Sequence, residues 1–147
     1  QTKEIIKAGT SIINYKGGKP IKPEDFWKVP VDILIPASVT DVINDSNKNN
    51  IQAKVIVEAG NIPMQEYIEE EFFKKGIIFV PDFVANAGGV ISSYAEYRGY
   101  NPKKMFETVE TKVVKITKTV LKQSLKRNEN PRKVGLEIAQ KRILDSK

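Results

Sequence analysis

The 147 residues hold 24 Lys and Arg against 18 Asp and Glu, with no Cys and no His, and are 40% hydrophobic and 29% charged. That composition suits one soluble domain with a real core, and it removes disulfides, thiol nucleophiles, imidazole bases and most zinc sites, so any acid-base chemistry falls to Lys, Asp, Glu or Tyr. No apolar run reaches the roughly 18 residues of a membrane span, and Gln1-Thr2-Lys3-Glu4 lacks the apolar core of a secretory signal; the expected location is cytoplasmic, and Gln1 in place of Met is expected to mark a fragment.

Lys3 to Ala8 reads as a helical end capped by Gly9, and Ser11 to Tyr15 as a short strand. Lys16 to Pro20 is a turn leading into Lys22 to Trp27, which reads as a connection. Three apolar runs follow, Val31 to Ile35, Lys54 to Glu58 and Gly76 to Val80. Their lack of polar alternation fits parallel strands covered on both faces. Between them Val39 to Asn47 and Gln65 to Lys75 read as helices, the second opening on Glu66, Glu69, Glu70 and Glu71 and closing on Lys74 and Lys75, a polarity that suits the helix dipole. The alternation is a doubly wound α/β pattern, and ligands of such sheets bind past the carboxyl ends of the strands. A helix from about Pro102 to Lys126 and another from Pro131 to Leu144 close the chain, each opened by a proline suited to the first turn. Phe106, Val109, Val113, Ile116 and Val120 recur at helical spacing and read as a core stripe. The organisation expected is a truncated dinucleotide-binding α/β unit over residues 1–98, followed by helices packed on it over residues 99–147.

Charge divides along the same line. Residues 1–98 carry 11 Lys and Arg against 13 Asp and Glu, whereas residues 99–147 carry 13 against 5. A basic tail invites a nucleic-acid reading. Lys112, Lys115, Lys118 and Lys122 lie at helical spacing without interleaved aromatic rings, however, and a solvated helix face explains them without nucleic acid.

Each of the three strands ends in a distinctive peptide. The first gives Pro36-Ala37-Ser38, the second Glu58-Ala59-Gly60-Asn61-Ile62-Pro63, and the third Pro81 to Val90 with Asn86-Ala87-Gly88-Gly89 at its centre. An amide at the end of a strand, followed by glycines that admit close backbone approach, suits a polar ligand at a helix N-terminus. In order and wording these peptides resemble the glutamate dehydrogenase family, which also includes the leucine, phenylalanine and valine enzymes, and the resemblance runs from the Lys3 region to Arg142. The sequel Ser93-Tyr94-Ala95-Glu96-Tyr97 favours the glutamate branch. The resemblance implies the back half of a Rossmann-like doubly wound parallel sheet followed by C-terminal helices, and NAD or NADP as cofactor. It implies Pro36, Ala37 and Ser38 beside the adenosine, Asn61 by the nicotinamide ribose, Asn86 on the carboxamide with Gly88 and Gly89 behind it, and Ser93 on a substrate carboxylate.

No Gly-x-Gly-x-x-Gly follows a strand anywhere in the chain, and no acidic residue stands about 20 positions beyond one. In the family the catalytic lysine and aspartate lie on another domain, so no catalytic residue is assigned here. The expectation is a glutamate dehydrogenase-related protein, resembling the cofactor-binding portion of an enzyme of oxidative deamination and inactive as this chain alone. The alternative is a non-catalytic nucleotide-binding or regulatory protein derived from such a fragment. Departures from the family pattern favour that alternative: Ala59-Gly60 stands in reversed order, Ile62 takes a glycine position, and Ala95 replaces a phenylalanine. An open strand edge at Val31 to Ile35 would invite self-association or a separate N-terminal half.

Overall fold

The computed structural model describes residues 17–145, so the expected helix at Lys3 to Ala8 and the strand at Ser11 to Tyr15 lie outside the described residues. A single turn of helix, α1 (Pro23–Phe26), lies within the stretch read as a connection. The sheet follows: β1 (Ile33–Leu34), β2 (Val55–Val57), helix α2 (Glu66–Lys74) and β3 (Ile78–Val80). Next come a one-turn helix α3 (Asp82–Ala85), α4 (Gly88–Tyr97), α5 (Pro102–Arg127) and α6 (Pro131–Leu144). None of these helices is long and apolar enough to cross a membrane.

The three strands are parallel in the order β1-β2-β3, with Leu34 opposite Ile56, Ile56 opposite Phe79, and Val57 opposite Val80. Because side chains alternate across a strand, this register sends Ile56 and Phe79 to one face and Val57 and Val80 to the other. On the first face they join Ile43, Ala53, Met64, Ile68 and Phe72. On the second Val80 meets Val84, Val120 and Val134, with Val57, Ile116 and Ile138 alongside. A two-sided core is what the uninterrupted apolar runs anticipated.

One expected element is absent. Val39 to Asn47 is a series of turns, not a helix, and a 3-10 turn at Lys48–Asn50 leads on to β2. The side chains there bond to nearby backbone and so compete with helical hydrogen bonds: Asn47 Oδ1 accepts from the Asn44 N–H at 2.9 Å, Asn47 Nδ2 donates to the Val42 carbonyl at 2.8 Å, and Asn44 Oδ1 accepts from the Ser46 N–H at 3.0 Å. Asp41, at φ 56°, breaks the run as well.

The closing helices start at the prolines expected to open them, and asparagines cap them. The Asn101 side chain accepts from the Lys104 N–H and Asn130 from the Arg132 N–H, each with proline at the first helical position. Asn128, at φ 49°, ends α5 in the left-handed region that asparagine tolerates. The chain turns back there, and α6 returns along α5, with Val134 beside Val120 and Ile138 against the same cluster as Ile116.

The start of α6 carries Arg132 into a buried cluster of carboxylates. Its guanidinium holds Glu69 of α2 through Nε at 2.7 Å and Nη2 at 2.6 Å, Asp82 of α3 at 3.0 Å, and Glu58, just past β2, at 3.3 Å. Glu58 and Glu69 are fully buried and Asp82 nearly so. One guanidinium cannot balance three anions away from water. Burial, then the charge of Glu69, pushes the Glu58 carboxyl up to about 9, and burial raises Glu69 as well. Glu58 Oε2 accepts from the Asp82 N–H at 2.7 Å and from Arg132, while Oε1 has no N–H or O–H partner among the described residues, which leaves Oε1 as the atom to carry the proton. Asp82 shifts the other way: burial opposes its charge, but hydrogen bonds from the Ile62 and Phe83 backbone and from Arg132 hold it below the usual aspartate range.

The signs give a pH test. Folded Glu58 keeps, up to about pH 9, a proton that the unfolded chain releases near 4.5, so its contribution is complete below 4.5 and is lost as pH rises towards 9, while Asp82 contributes above 3.8 and fails below it. Urea midpoints are expected to fall steadily from about pH 5 to about pH 8.5, at up to about 1.4 kcal/mol per pH unit for the one proton. Glu58→Gln, which mimics the protonated acid, should flatten that slope; an unchanged slope in the variant would place the proton elsewhere.

Candidate functional site

The carboxyl ends of the three strands lie side by side, and hydrogen bonds join the peptides that follow them. The Gly60 N–H donates to the Pro36 carbonyl at 2.8 Å. A Cβ on Gly60 would meet the Ser38 carbonyl oxygen at 3.3 Å and the Pro36 carbonyl oxygen at 3.5 Å, so a larger residue here would press the two loops apart by a few tenths of an ångström. Thr40 Oγ1 donates to the Asn61 carbonyl at 3.1 Å, and the Asp41 N–H to the Ile62 carbonyl at 2.9 Å. The second and third peptides meet through side chains: Asn86 Nδ2 donates to Asn61 Oδ1 at 2.8 Å and to the Gly60 carbonyl at 3.3 Å.

The arginine cluster underlies this rim. Asp82 uses its second oxygen, Oδ2, to accept from the Ile62 N–H at 3.0 Å, while its own N–H donates to Glu58. The loop after β2 and the turn after β3 are thus held to each other from below by carboxylates and from above by amides. The sequence quoted Glu58 and Asp82 only as parts of the rim peptides and passed over Arg132. No local signal pairs an arginine with acids 50, 63 and 74 positions away. Gly60 was likewise read only as half of a reversed pair, and its role became visible only in the loop-to-loop distance.

The expected site residues divide into three groups. Pro36, Ser38, Asn61 and Asn86 come together on one rim, joined there by Gly60, and Ala37 stands exposed between its neighbours. Gly88 faces inward, where a Cβ would touch Val109 Cγ1 at 3.3 Å, while Gly89 faces open space. Ser93, one turn further along α4, is exposed and donates to the Gly89 carbonyl at 3.1 Å, the spacing of four that puts both on one helix face.

Two features bear on ligands. Asn86 spends its N–H2 group and Asn61 its oxygen on each other, leaving the Asn86 oxygen and the Asn61 N–H2 group without partners among the described residues. Beside the first tip lies a cavity of about 590 Å³, walled by Trp27, Phe26, Leu34 and Val42 and edged by Pro36, Ala37 and Ser38. Ile62 sits at φ 46° and is half exposed. A β-branched residue in the left-handed region is strained, and this is the position where the resemblance calls for glycine.

Known proteins share both sequence and architecture. Over 136 residues the chain is 37% identical to the glutamate dehydrogenase of Aeropyrum pernix, a match that takes in 86% of this chain and 32% of that protein. It is 42% identical over 94 residues to the NADP-specific glutamate dehydrogenase of Saccharolobus shibatae, covering 64% of this chain and 22% of the relative. The chain therefore spans about a third or less of the curated relatives it matches. The crystal structure of L-tryptophan dehydrogenase from Nostoc punctiforme superimposes with a TM-score of 0.80 at 26% identity, over 88% of this chain and 39% of that one. The parallel sheet with its C-terminal helices is thus the Rossmann-like fold of dehydrogenases. Since the family model for Glutamate/Leucine/Phenylalanine/Valine dehydrogenase also matches residues 1–147 throughout, the chain belongs to that family.

Proposed function

We propose that this chain supplies the adenosine and nicotinamide side of the cofactor cleft of a glutamate dehydrogenase-type oxidoreductase of the cytoplasm, working with NAD or NADP in the oxidative deamination of glutamate. The observation that carries the reading is the Asn61–Asn86 amide pair. Its free carbonyl and free N–H2 are complementary to a primary carboxamide, which offers one N–H2 donor and one carbonyl acceptor, and a nicotinamide ring ends in that group. The aromatic-walled cavity beside Pro36 to Ser38 suits the flat, largely apolar adenine. Gly89 leaves open space at the start of α4, and Ser93 stands one turn along, a position from which a hydroxyl can donate to a substrate carboxylate. When bound, the nicotinamide supplies hydride transfer; these residues hold and orient it.

Deamination further needs a proton-transfer group and a clamp on the substrate carboxylates. The chain offers neither at this rim, and its 147 residues carry no Gly-x-Gly-x-x-Gly turn for a pyrophosphate. By itself, therefore, it binds nucleotide weakly and does not turn over. β1 is an edge of the described sheet, with Ile33 56% and Ile35 58% exposed. A bare apolar edge is a template for further strands, from a second copy or from a separate N-terminal half. The second reading, a non-catalytic nucleotide-binding or regulatory protein on this fold, is favoured by the departures from the family pattern, above all by Ile62, which is half exposed where the resemblance calls for glycine.

In amide NMR titrations NAD should shift Ser38, Asn61 and Asn86 and a salt-matched RNA should not; Asn86→Ala should weaken NAD binding about tenfold, the scale of one lost amide hydrogen bond. Mixing the chain with glutamate and NAD or NADP should give no rate above a Ser93→Ala control. Shifts confined to other surfaces would end the cofactor reading, and measurable turnover would end the claim of inactivity. Ile62→Gly should raise the stability by about 1 kcal/mol through relief of left-handed strain, and should tighten NAD binding as well; a destabilised variant would mean that Ile62 packs usefully where it stands. In sedimentation at high concentration the chain should self-associate through the β1 edge, and Ile33→Lys should abolish that; a compact monomer at every concentration would refute the open edge.

A further inference from the structure

On the side of the molecule formed by α3, α4, α5 and α6 lies a groove of about 440 Å³. Its apolar lining is Val84 from α3, Ile116 from α5, and Ile138 and the exposed Ala139 from α6, with the Phe83 ring as one wall. Gly135 belongs to that wall. A Cβ there would come within 2.9 Å of Phe83 Cζ, so the glycine lets the ring lie against α6. Phe83 is held from its other side by Arg132, whose guanidinium lies 5.4 Å from the ring centroid.

The charged lining residues are all cations, Lys112, Lys115 and Arg142, and no carboxylate among the described residues lines the groove. They gather at one end. Because α6 runs back along α5, the pairing of Val120 with Val134 and of Ile116 with Ile138 continues to Lys112 and Lys115 opposite Arg142. Lys112 lies 5.5 Å from the Tyr94 ring, and none of the three cations has an ion-pair partner among the described residues. On the same helices Arg127 holds Glu137 and Glu129 and Arg132 holds its three acids, whereas Lys118, Lys122, Lys126, Lys133 and Lys141 also have no ion-pair partner among the described residues; what sets Lys112, Lys115 and Arg142 apart is the apolar groove they flank. Three like charges left together at the mouth of an apolar groove repel one another unless an anion joins them.

We propose that this groove binds an anionic single-chain amphiphile, a medium-chain fatty carboxylate, with its alkyl tail between Ile116, Ile138 and Phe83 and its carboxylate among Lys112, Lys115 and Arg142. A volume of about 440 Å³ is that of a small-ligand site rather than of a helix-docking face. Segregation of charge to one end matches a ligand with one charged end, and an uncharged or cationic chain would leave the cations unsatisfied. The assignment does not depend on the nucleotide reading. The two surfaces nevertheless adjoin, since Ala87, next to Asn86, lines the groove.

The full chain with labelled Ile and Ala methyl groups is titrated with decanoate below its micelle threshold, with decanol and a decyl trimethylammonium salt as matched probes. Decanoate should shift Ile116, Ile138 and Ala139 saturably at one per chain, and decanol should bind at least tenfold more weakly. Replacing all three cations (K112Q, K115Q and R142Q together), exposed positions whose loss should leave the thermal midpoint unchanged, should weaken decanoate at least tenfold. Ala139→Trp, which fills the groove, should abolish binding. The proposal is overturned if decanoate shifts none of these methyls, if its shifts centre on Ile35 and the Trp27 cavity, if decanol binds as well as decanoate, if the triple variant binds as the parent does, or if the shifts instead track protein concentration and report a second copy of the chain in the groove.

Discussion

The buried guanidinium of Arg132 holds this fold to the shape its rim requires. A two-stranded or three-stranded parallel sheet of two or three residues per strand has few ladder bonds with which to fix the loops beyond it. Here the loops are fixed by ions. Glu58 leaves the second strand, Asp82 begins the turn after the third and Glu69 comes from the helix between them, and all three converge on one residue of the last helix. Ions so deeply buried are costly unless every charge is met. Retaining a proton on Glu58 lowers the imbalance, and the remaining hydrogen bonds run outward into the backbone of the rim. Asp82 passes the constraint to Ile62, and Glu58 passes it to Asp82. The positions of Asn61 and Asn86 follow from an arginine that touches neither.

That arrangement explains which parts of the molecule could be read from the sequence. The three apolar runs gave the strands because burial on both faces removes polar alternation, and first-turn prolines gave the two closing helices almost to the residue. The rim peptides were legible as wording, since each follows its strand directly. Val39 to Asn47 misled because its apolar spacing suits a helix, whereas Asn44, Ser46 and Asn47 supply local hydrogen bonds that a helix does not use. Arg132 was illegible for a different reason. In a tail with 13 cations nothing local distinguishes the one that is carried inward, and only the hairpin of the last two helices selects it.

The same hairpin distributes the basic surplus of the tail over different surroundings. Arg127 and Arg132 face their own carboxylates, and Lys104 lies over the Tyr100 ring. The other cations of the two helices, Lys118 and Lys122 among them, are exposed, and Lys112, Lys115 and Arg142 line a groove whose interior is apolar. The turn from Asp82 to Gly88 stands between this groove and the rim: Asp82 and Asn86 serve the rim, while Phe83, Val84 and Ala87 wall the groove. Because successive residues of one short helix point to opposite surfaces, a ligand that moves Phe83 must also act on the segment that positions the Asn86 amide. Close packing of that turn under Arg132 leaves little room for one surface to move without the other. Any coupling between the two surfaces would therefore run through α3, and its size is set by how firmly the arginine holds Asp82.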